Sequence, residues 1–378
     1  MDEQGFRVTP WDVEGKVDYD KLILEFGTSK IDDTLRERIR RCFGELHMFL
    51  RREIFFSHRD LTVILDAIEN RKKFYLYTGR GPSGHTHLGH ILPWIFTKYI
   101  QDKTNAPLLF QLTDDEKFYF KEELSLAQTK AMAYENMLDI IALGFSPERT
   151  KIFLDTEYIA TLYPIAAEVA KKITFSTVRA VFGLENSNNI GEIFYTSLQS
   201  VPAFLPSVYE KQPTPVLIPC GIDQDPHFRI CRDVAPKLNF PKPALIHCKL
   251  FPSLMGAETK MSASMPETSI FTTDPPKVTR KKIMSAFTGG AVSVEEQRKH
   301  GGNPDVCSVF AYYQFMFEDQ DEKLSERYTN CRNGNLLCGE CKSELAERVT
   351  SFLRAHQEKR EKAREKIEDF IMRDCNKK

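Results

Sequence analysis

The sequence lacks several features that would place it in a specialised class of proteins. No apolar run reaches the ~18 residues that a membrane-spanning helix needs, and the opening Met1-Asp2-Glu3 is acidic, unlike a secretory signal. There is no internal repeat and no low-complexity segment. A net charge of −1 gives no global attraction to nucleic acid. We therefore expect a cytoplasmic protein with no membrane partner.

What the sequence does have is the length and composition of an ordinary globular protein. Its 378 residues, of which 42% are hydrophobic, suffice for two or perhaps three domains with separate cores. In a reducing compartment, nine cysteines are more typical of free thiols or metal ligands than of disulfides.

Short apolar runs alternate with helical patterns through the first two thirds of the chain. This alternation predicts βαβ crossovers and a parallel sheet. We expect an α/β domain over residues 24–271, after a short extension at 1–23 and before a helical domain at 272–378 whose last helix could fold back. The predicted strands are 74–78, 108–112, 150–154, 215–219 and 244–247, and helical patterns cover 24–60, 124–143 and 159–173.

A glycine-rich segment, Gly-Arg-Gly-Pro-Ser-Gly-His-Thr-His-Leu-Gly-His at 79–90, connects a predicted strand to a helix that opens near Leu88. Such a turn directs backbone N–H groups and the positive end of the helix dipole toward an anion. His87 and His90 can both face phosphates, and Gly89 lets an adenine or ribose approach the backbone. No Walker lysine follows. We predict an ATP site; a metal held by both histidines and a simple glycine turn are the alternatives.

Three further motifs follow predicted strands or lie on a flexible stretch, and ligands bind parallel sheets at their strand ends. Gly-Ile-Asp-Gln-Asp at 221–225 offers a carboxylate for ribose hydroxyls, or is a common turn. Lys-Met-Ser-Ala-Ser at 260–264 could grip the departing phosphates, or is solvent-exposed. Gln-Leu-Thr-Asp-Asp-Glu-Lys at 111–117 could hold an α-ammonium and a polar ring atom; a magnesium site and a helix N-cap are alternatives.

Together, His-Leu-Gly-His at 87–90 and the lysine motif at 260–264 resemble the two signatures of class I aminoacyl-tRNA synthetases. The segments 77–83, 113–117, 219–225 and 234–243 resemble the eukaryotic and archaeal tryptophanyl type over nearly the whole chain. The resemblance implies a Rossmann-like, doubly wound catalytic domain, a helical anticodon-binding domain and a homodimer. It also implies that ATP, with Mg²⁺, activates L-tryptophan for transfer to tRNA(Trp).

The resemblance further implies a role for individual residues, with no protein nucleophile required. The catalytic group comprises His87, His90 and Lys260; the ATP-binding group comprises Arg80, Gly89, Asp223, Ser262 and Ser264. Tyr77 and Gln111 would receive the indole N–H, and the groups around the α-ammonium and carboxylate would be Glu116, Gln199 and Gln224. A site built for one ring N–H can reject phenylalanine by ~10⁴-fold or more without editing.

One position departs from the commoner class I pattern, and one segment has two possible interpretations. Ala263 stands where many class I enzymes have a second lysine. Pro10-Trp11 resembles a hairpin that covers ATP, or is a docking strand.

Two other families of protein are compatible with parts of this pattern. A tyrosyl-tRNA synthetase shares the fold and both signatures but is expected to place a tyrosine–aspartate pair at the phenol hydroxyl, where this chain has Gln111. Loss of a histidine or of Lys260 would have favoured a non-catalytic paralogue, and all are present.

Four cysteines lie in the predicted helical domain with 23, 6 and 2 residues between successive members: Cys307, Cys331, Cys338 and Cys341. Their spacing resembles, to within one residue, that of a [4Fe–4S] cluster in some bacterial members. Four thiolates suit either that cluster or structural zinc. The alternative is that these side chains simply pack at the start of a helix. We predict a metal site, with iron–sulfur ahead of zinc.

Overall fold

The structure is a computed structural model that describes residues 7–8, 13–14, 17–82, 84–263 and 265–374. Its strands are β1 (Arg7–Val8), β2 (Val13–Glu14), β3 (Ser29–Lys30), β4 (Phe55–Arg59), β5 (Tyr75–Arg80), β6 (Leu108–Leu112), β7 (Thr150–Leu154), β8 (Val216–Gly221), β9 (Ala244–Cys248), β10 (Pro252–Ser253) and β11 (Gly256–Lys260).

The helices are α1 (Tyr19–Phe26), α2 (Asp33–Phe43), α3 (Met48–Arg51), α4 (Leu61–Glu69), α5 (Leu88–Thr104), α6 (Asp114–Phe120), α7 (Leu126–Ala142), α8 (Ile159–Ala170), α9 (Phe175–Phe182), α10 (Ile190–Leu198), α11 (Leu205–Glu210), α12 (Asp225–Val234), α13 (Pro276–Met284), α14 (Val294–His300), α15 (Ser308–Tyr312), α16 (Asp321–Arg332), α17 (Cys338–Ala363) and α18 (Ile367–Phe370). Among the described residues, no helix is both long and apolar enough to cross a bilayer.

A seven-stranded sheet, in the order β3-β4-β9-β8-β5-β6-β7, forms the centre of the molecule. The strands from β9 to β7 run parallel, which confirms the predicted α/β fold. The helical prediction for residues 24–60 was wrong at β4, which pairs antiparallel with β9. Phe55, Phe56 and Ser57 are all buried, and the periodicity of so short a buried run does not distinguish a strand from a helix.

Successive residues of the central strands enter two different cores, because side chains alternate across a sheet. Leu108 and Phe110 pack into one core together with α5 and α7. Leu109 packs into the other, with residues of α8 and α12. The face that holds Leu109 also receives Tyr77 and Gln111, so the sheet pattern itself puts these two polar side chains on one side.

After residue 271 the described chain is mostly helical and shares the first core with the sheet. Helix α17 packs against α13 and α7. Its His356 and Arg360 contact Asp139 of α7 at 3.0 and 3.2 Å. The chain then returns to the sheet edge, where the Met372 N–H donates to the carbonyl of Ile152 at 2.7 Å.

Candidate active site

The glycine-rich turn between β5 and α5 brings the two predicted imidazoles into contact. The His87 N–H donates to Nδ1 of His90 at 3.2 Å, and the two rings stack with centroids 3.5 Å apart. A Cβ on Gly89 would lie 3.1 Å from the ring of His87, so the absence of a side chain lets this ring settle over the helix start. Burial, followed by the charge of Arg80, holds the pKa of both histidines well below the usual range, so both are neutral at pH 7.

The lysine motif reaches the same place through the β10–β11 hairpin. Beyond Lys260 the chain runs antiparallel to the glycine-rich turn: the Leu88 N–H donates to the carbonyl of Ile270 at 3.1 Å, and the Thr272 N–H donates to that of Thr86 at 2.8 Å. Lys260 Nζ donates to Oδ2 of Asp223 at 2.7 Å. The two segments that are distant in sequence therefore lie side by side.

Asp223 lies just past the end of β8, in a single helical turn at Ile222–Gln224. A Cβ on Gly221 would lie only 2.5 Å from its Oδ1, so glycine is needed for the carboxylate to fold back in this way. Gln224, a predicted tryptophan ligand, ends the same turn. The carboxyl end of β8 therefore carries both of these predicted ligands.

A buried ion-pair network fixes the base of this turn. Arg59 Nε and Nη2 donate to Asp225 at 2.7 and 2.8 Å, and His247 Nε2 lies 3.2 Å from the same carboxylate. Burial acts to raise the pKa of Asp225, but Arg59 and His247 outweigh it and hold that pKa at about 2. Sequence reasoning missed this network because its members come from three separate elements.

Arg80, a predicted phosphate ligand, is buried at the end of β5. Its Nε donates to Oδ1 of Asn136 at 2.6 Å, and its Nη2 lies 3.3 Å from the carbonyl of His85. Its Nη1 has no hydrogen-bond partner among the described residues. Burial lowers the pKa of Arg80 to about 10, so the guanidinium stays charged at pH 7. A buried charged donor without a partner suits an anion such as phosphate.

On the other side of the turn, Tyr77 and Gln111 form a buried polar pair. The Tyr77 hydroxyl donates to Oε1 of Gln111 at 2.5 Å, and Nε2 of Gln199 donates to the Tyr77 oxygen at 3.4 Å. Tyr77 and Gln111 are wholly buried, and Gln199 is nearly so. The structure thus brings together three of the predicted tryptophan ligands.

Glu116 lies in the first turn of α6, against the glycine-rich turn. A Cβ on Gly81 would lie 2.6 Å from its Oε2. Burial acts to raise its pKa, but Lys117 and a hydrogen bond from Thr113 at 2.7 Å lower it overall. Glu116 is therefore an ionised, buried carboxylate at neutral pH, which suits an ammonium ligand.

Asp155 is a buried polar residue of this pocket that sequence reasoning missed. Nε2 of Gln111 donates to both of its carboxyl oxygens at 2.9 Å. The available signal was its position: Asp155 directly follows β7, as the motif at 111–117 closes β6. Of the remaining predicted residues, Ser262 receives a hydrogen bond from Ser269 at its carbonyl, while Ser264 and Pro10-Trp11 lie outside the described residues.

The metal prediction for the four cysteines is not supported. Cys307, Cys331, Cys338 and Cys341 are free thiols, and within the described ranges no group of three or more His, Cys, Asp or Glu residues could hold a metal ion. Burial raises the pKa of Cys331 to about 11 and that of Cys341 to about 12.

His227 gives a prediction for acid stability. Burial lowers its pKa to about 4, so the unfolded chain binds a proton near pH 6.5 that the folded chain takes up only near pH 4. The free energy of unfolding should therefore fall as pH drops through this window, by on the order of 3 kcal/mol from this residue. His227→Gln should flatten the dependence, measured by urea unfolding between pH 7 and 4. The exposed His300→Gln is the control, and equal slopes in all three proteins would refute the expectation.

Comparison with known proteins identifies relatives over nearly the whole chain. The family model for "tRNA synthetases class I (W and Y)" matches residues 69–354. The tryptophan–tRNA ligase of Pyrobaculum aerophilum is 50% identical over 368 residues, covering 97% of this chain and 98% of that protein. The tryptophan–tRNA ligase of Pyrococcus furiosus is 51% identical over 370 residues, covering 97% and 94%.

Solved structures extend the similarity to the fold. The tryptophanyl-tRNA synthetase from Giardia lamblia matches with a TM-score of 0.88 at 36% identity, covering 94% of this chain and 96% of that one. The tryptophanyl-tRNA synthetase from Aeropyrum pernix matches with a TM-score of 0.87 at 32% identity, covering 95% and 97%. Both matches take in the sheet and the helical region after it.

Proposed function

The chain belongs to the class I tryptophanyl-tRNA synthetases, and from that premise we propose which of its residues bind each substrate. It is a ligase that activates L-tryptophan with ATP and transfers the tryptophanyl group to tRNA(Trp). The observation that supports the residue assignment is that the segment after Lys260 pairs with the glycine-rich turn at His87 while Lys260 itself binds Asp223. The buried pair Tyr77 and Gln111 lies on the neighbouring strands β5 and β6. We propose the cytoplasm, where tRNA is charged, as its location.

In the first step the carboxylate of tryptophan attacks the α-phosphorus of ATP. A new C–O–P linkage forms, the bond to the bridging oxygen of pyrophosphate breaks, and pyrophosphate leaves with that electron pair. The neutral rings of His87 and His90 supply N–H donors to the phosphates, and Arg80 and Lys260 supply positive charge as negative charge shifts to the leaving group. These groups bind and orient the substrates and stabilise charge, and none of them forms a covalent bond to substrate.

Two of the proposed ATP ligands form an ion pair with each other. Asp223 is the proposed ribose ligand and Lys260 the proposed pyrophosphate ligand, and Lys260 Nζ donates to the Asp223 carboxylate. We propose that the ribose hydroxyls take over Asp223 and that Lys260 turns to the β- and γ-phosphates. Mg²⁺ enters with those phosphates, and the proposal includes no metal at the four cysteines.

Tryptophan is selected on the other side of the cleft. The indole N–H is a lone donor, and we propose that it meets the oxygens of Tyr77 and Gln111. Glu116, Gln199 and Gln224 would surround the α-ammonium and the carboxylate. Phenylalanine would leave the buried acceptors unpaired, which is a large penalty in a dry site.

We further propose that residues 272–378 bind the anticodon and that two copies of the chain form a homodimer. Support for the dimer comes from large apolar side chains exposed on helices α8 to α11, of which α10 packs against both α8 and α9. The most exposed is Ile190 at 82%, and the others are Ile159, Tyr163, Phe175, Val208 and Tyr209. Exposed apolar groups on adjacent helices suit contact with a second protein surface. Sedimentation equilibrium measures the mass directly.

The experiment that tests the activity is ATP–pyrophosphate exchange with tryptophan and then with tyrosine, followed by charging of tRNA(Trp). Exchange should depend on tryptophan and be near background with tyrosine. Comparable exchange with tyrosine would make the chain a tyrosine enzyme, and no exchange with either would favour a non-catalytic paralogue.

A further inference from the structure

A series of hydrogen bonds links five buried side chains behind the proposed tryptophan pocket, and each side chain donates to the next one. The Tyr195 hydroxyl donates to Oε1 of Gln199 at 2.6 Å, and Nε2 of Gln199 donates to the Tyr77 oxygen at 3.4 Å. The Tyr77 hydroxyl donates to Oε1 of Gln111 at 2.5 Å, and Nε2 of Gln111 donates to both oxygens of Asp155 at 2.9 Å. Every member is less than one tenth exposed.

The end of this chain decides which way the amide of Gln111 faces. A glutamine amide carries a donor at one end and an acceptor at the other, and the two ends have nearly the same shape. With two carboxyl oxygens of Asp155 on one side, the NH₂ group belongs there and the carbonyl oxygen belongs on the side of Tyr77. A reversed amide would set its oxygen against carboxyl oxygens and present N–H groups to the pocket.

From this geometry we propose that Asp155 is a positioning residue for amino-acid specificity: it holds the Gln111 amide so that its oxygen, and not its nitrogen, faces the indole N–H. The inference rests on the proposed function, in which Tyr77 and Gln111 receive that N–H. Asp155 itself lies behind Gln111 and acts only through it.

The protonation of Asp155 is compatible with this role. Burial raises the pKa of both Asp155 and its neighbour Asp115, and the two carboxyls share a hydrogen bond. A protonated Asp155 donates its one proton to Asp115 and still accepts from Gln111. An asparagine at this position has the same pattern, with an NH₂ group toward Asp115 and an oxygen toward Gln111, whereas leucine has neither.

The test compares tryptophan with benzothienylalanine, in which sulfur replaces the indole N–H while the shape is kept. In ATP–pyrophosphate exchange, the ratio of kcat/KM for the two substrates reports only on recognition of the N–H. Asp155→Leu should lower this ratio about tenfold or more, because the amide is no longer held in one orientation. Asp155→Asn should keep the ratio within about threefold of wild type, and KM for ATP should stay within the same margin in both variants.

Asp114→Leu is the matched control, because Asp114 is an equally buried carboxylate that binds Thr156 instead of Gln111. It should leave the ratio unchanged even where it lowers overall activity. An unchanged ratio in Asp155→Leu overturns the inference. A tenfold loss in Asp155→Asn also overturns it, so the inference stays testable if the leucine variant does not fold.

Tyr77→Phe and Gln111→Leu separate this inference from the proposal beneath it. If both variants keep the wild-type ratio, the pair does not receive the N–H, and the inference falls together with that part of the proposed function. If these two variants lower the kcat/KM ratio while Asp155→Leu leaves it unchanged, the assignment of Tyr77 and Gln111 stands. Only the role of Asp155 is then wrong.

Discussion

Lys260→Met is expected to lower kcat for tryptophan-dependent ATP–pyrophosphate exchange by about 10²- to 10³-fold. Methionine keeps the length of the side chain and removes its charge. The lysine motif has Ala263 in place of a second lysine, so this hairpin has no other lysine after Lys260 to meet the leaving phosphates. Because the proposed contact strengthens as pyrophosphate departs, kcat should fall more than the affinity for tryptophan, which a pre-steady-state measurement of adenylate formation resolves.

Lys73→Met is the control for this variant. It removes a lysine–carboxylate contact of similar length, 2.6 Å to Glu210, at a partly exposed position away from the cleft. Its kcat should match that of the wild type. A normal kcat in Lys260→Met would mean that Lys260 serves only to pair with Asp223. Other groups would then hold the phosphates.

Asp225→Ala should give the largest loss of stability, about 3–5 kcal/mol in the free energy of unfolding. The substitution leaves the guanidinium of Arg59 and the ring of His247 without their shared buried partner. An unpaired buried charge costs far more than the pair contributes. Chemical denaturation followed by circular dichroism measures the loss, and KM for ATP should rise because the turn that carries Asp223 loses its anchor.

Asp233→Ala provides the comparison within the same helix, since Asp233 is exposed on α12. It should change stability by less than about 0.5 kcal/mol. A loss below about 1 kcal/mol for Asp225→Ala would show that Arg59 finds another acceptor, most readily the carbonyls of Phe26 and Gly27 that it already reaches.

Much of the fold and many of the proposed ligands could be predicted because parallel sheets collect their strand ends at one edge. The motifs beginning at Gly79, Gln111 and Gly221 each end a strand, and the sheet order puts those strands side by side. Local sequence also indicates the start of α5, where His87 and His90 cap the helix. Each of these motifs and the helix start depend on residues that are close in sequence. They can therefore be predicted from a single sequence.

The parts that could not be predicted depend on partners that are distant in sequence. Arg59 and Asp225 are 166 residues apart, and no spacing rule joins them. Asp155 stands 44 residues from Gln111, at the end of a strand whose sequence carries no motif. The spacing of the four cysteines suggested a shared ion, but no metal-binding group is found among the described residues, because spacing along the chain does not fix how side chains are placed in space.

The last described residues have a protective consequence for the whole molecule. Strand β7 lies at the outer edge of the sheet, and the segment at Ile371–Met372 joins it at Ile152, while Asp374 binds the N–H of Thr161 at the start of α8. An uncovered strand edge is a template for pairing with other polypeptides. By pairing with Ile152, the segment Ile371–Met372 occupies part of this edge and leaves less of it open to association with other chains.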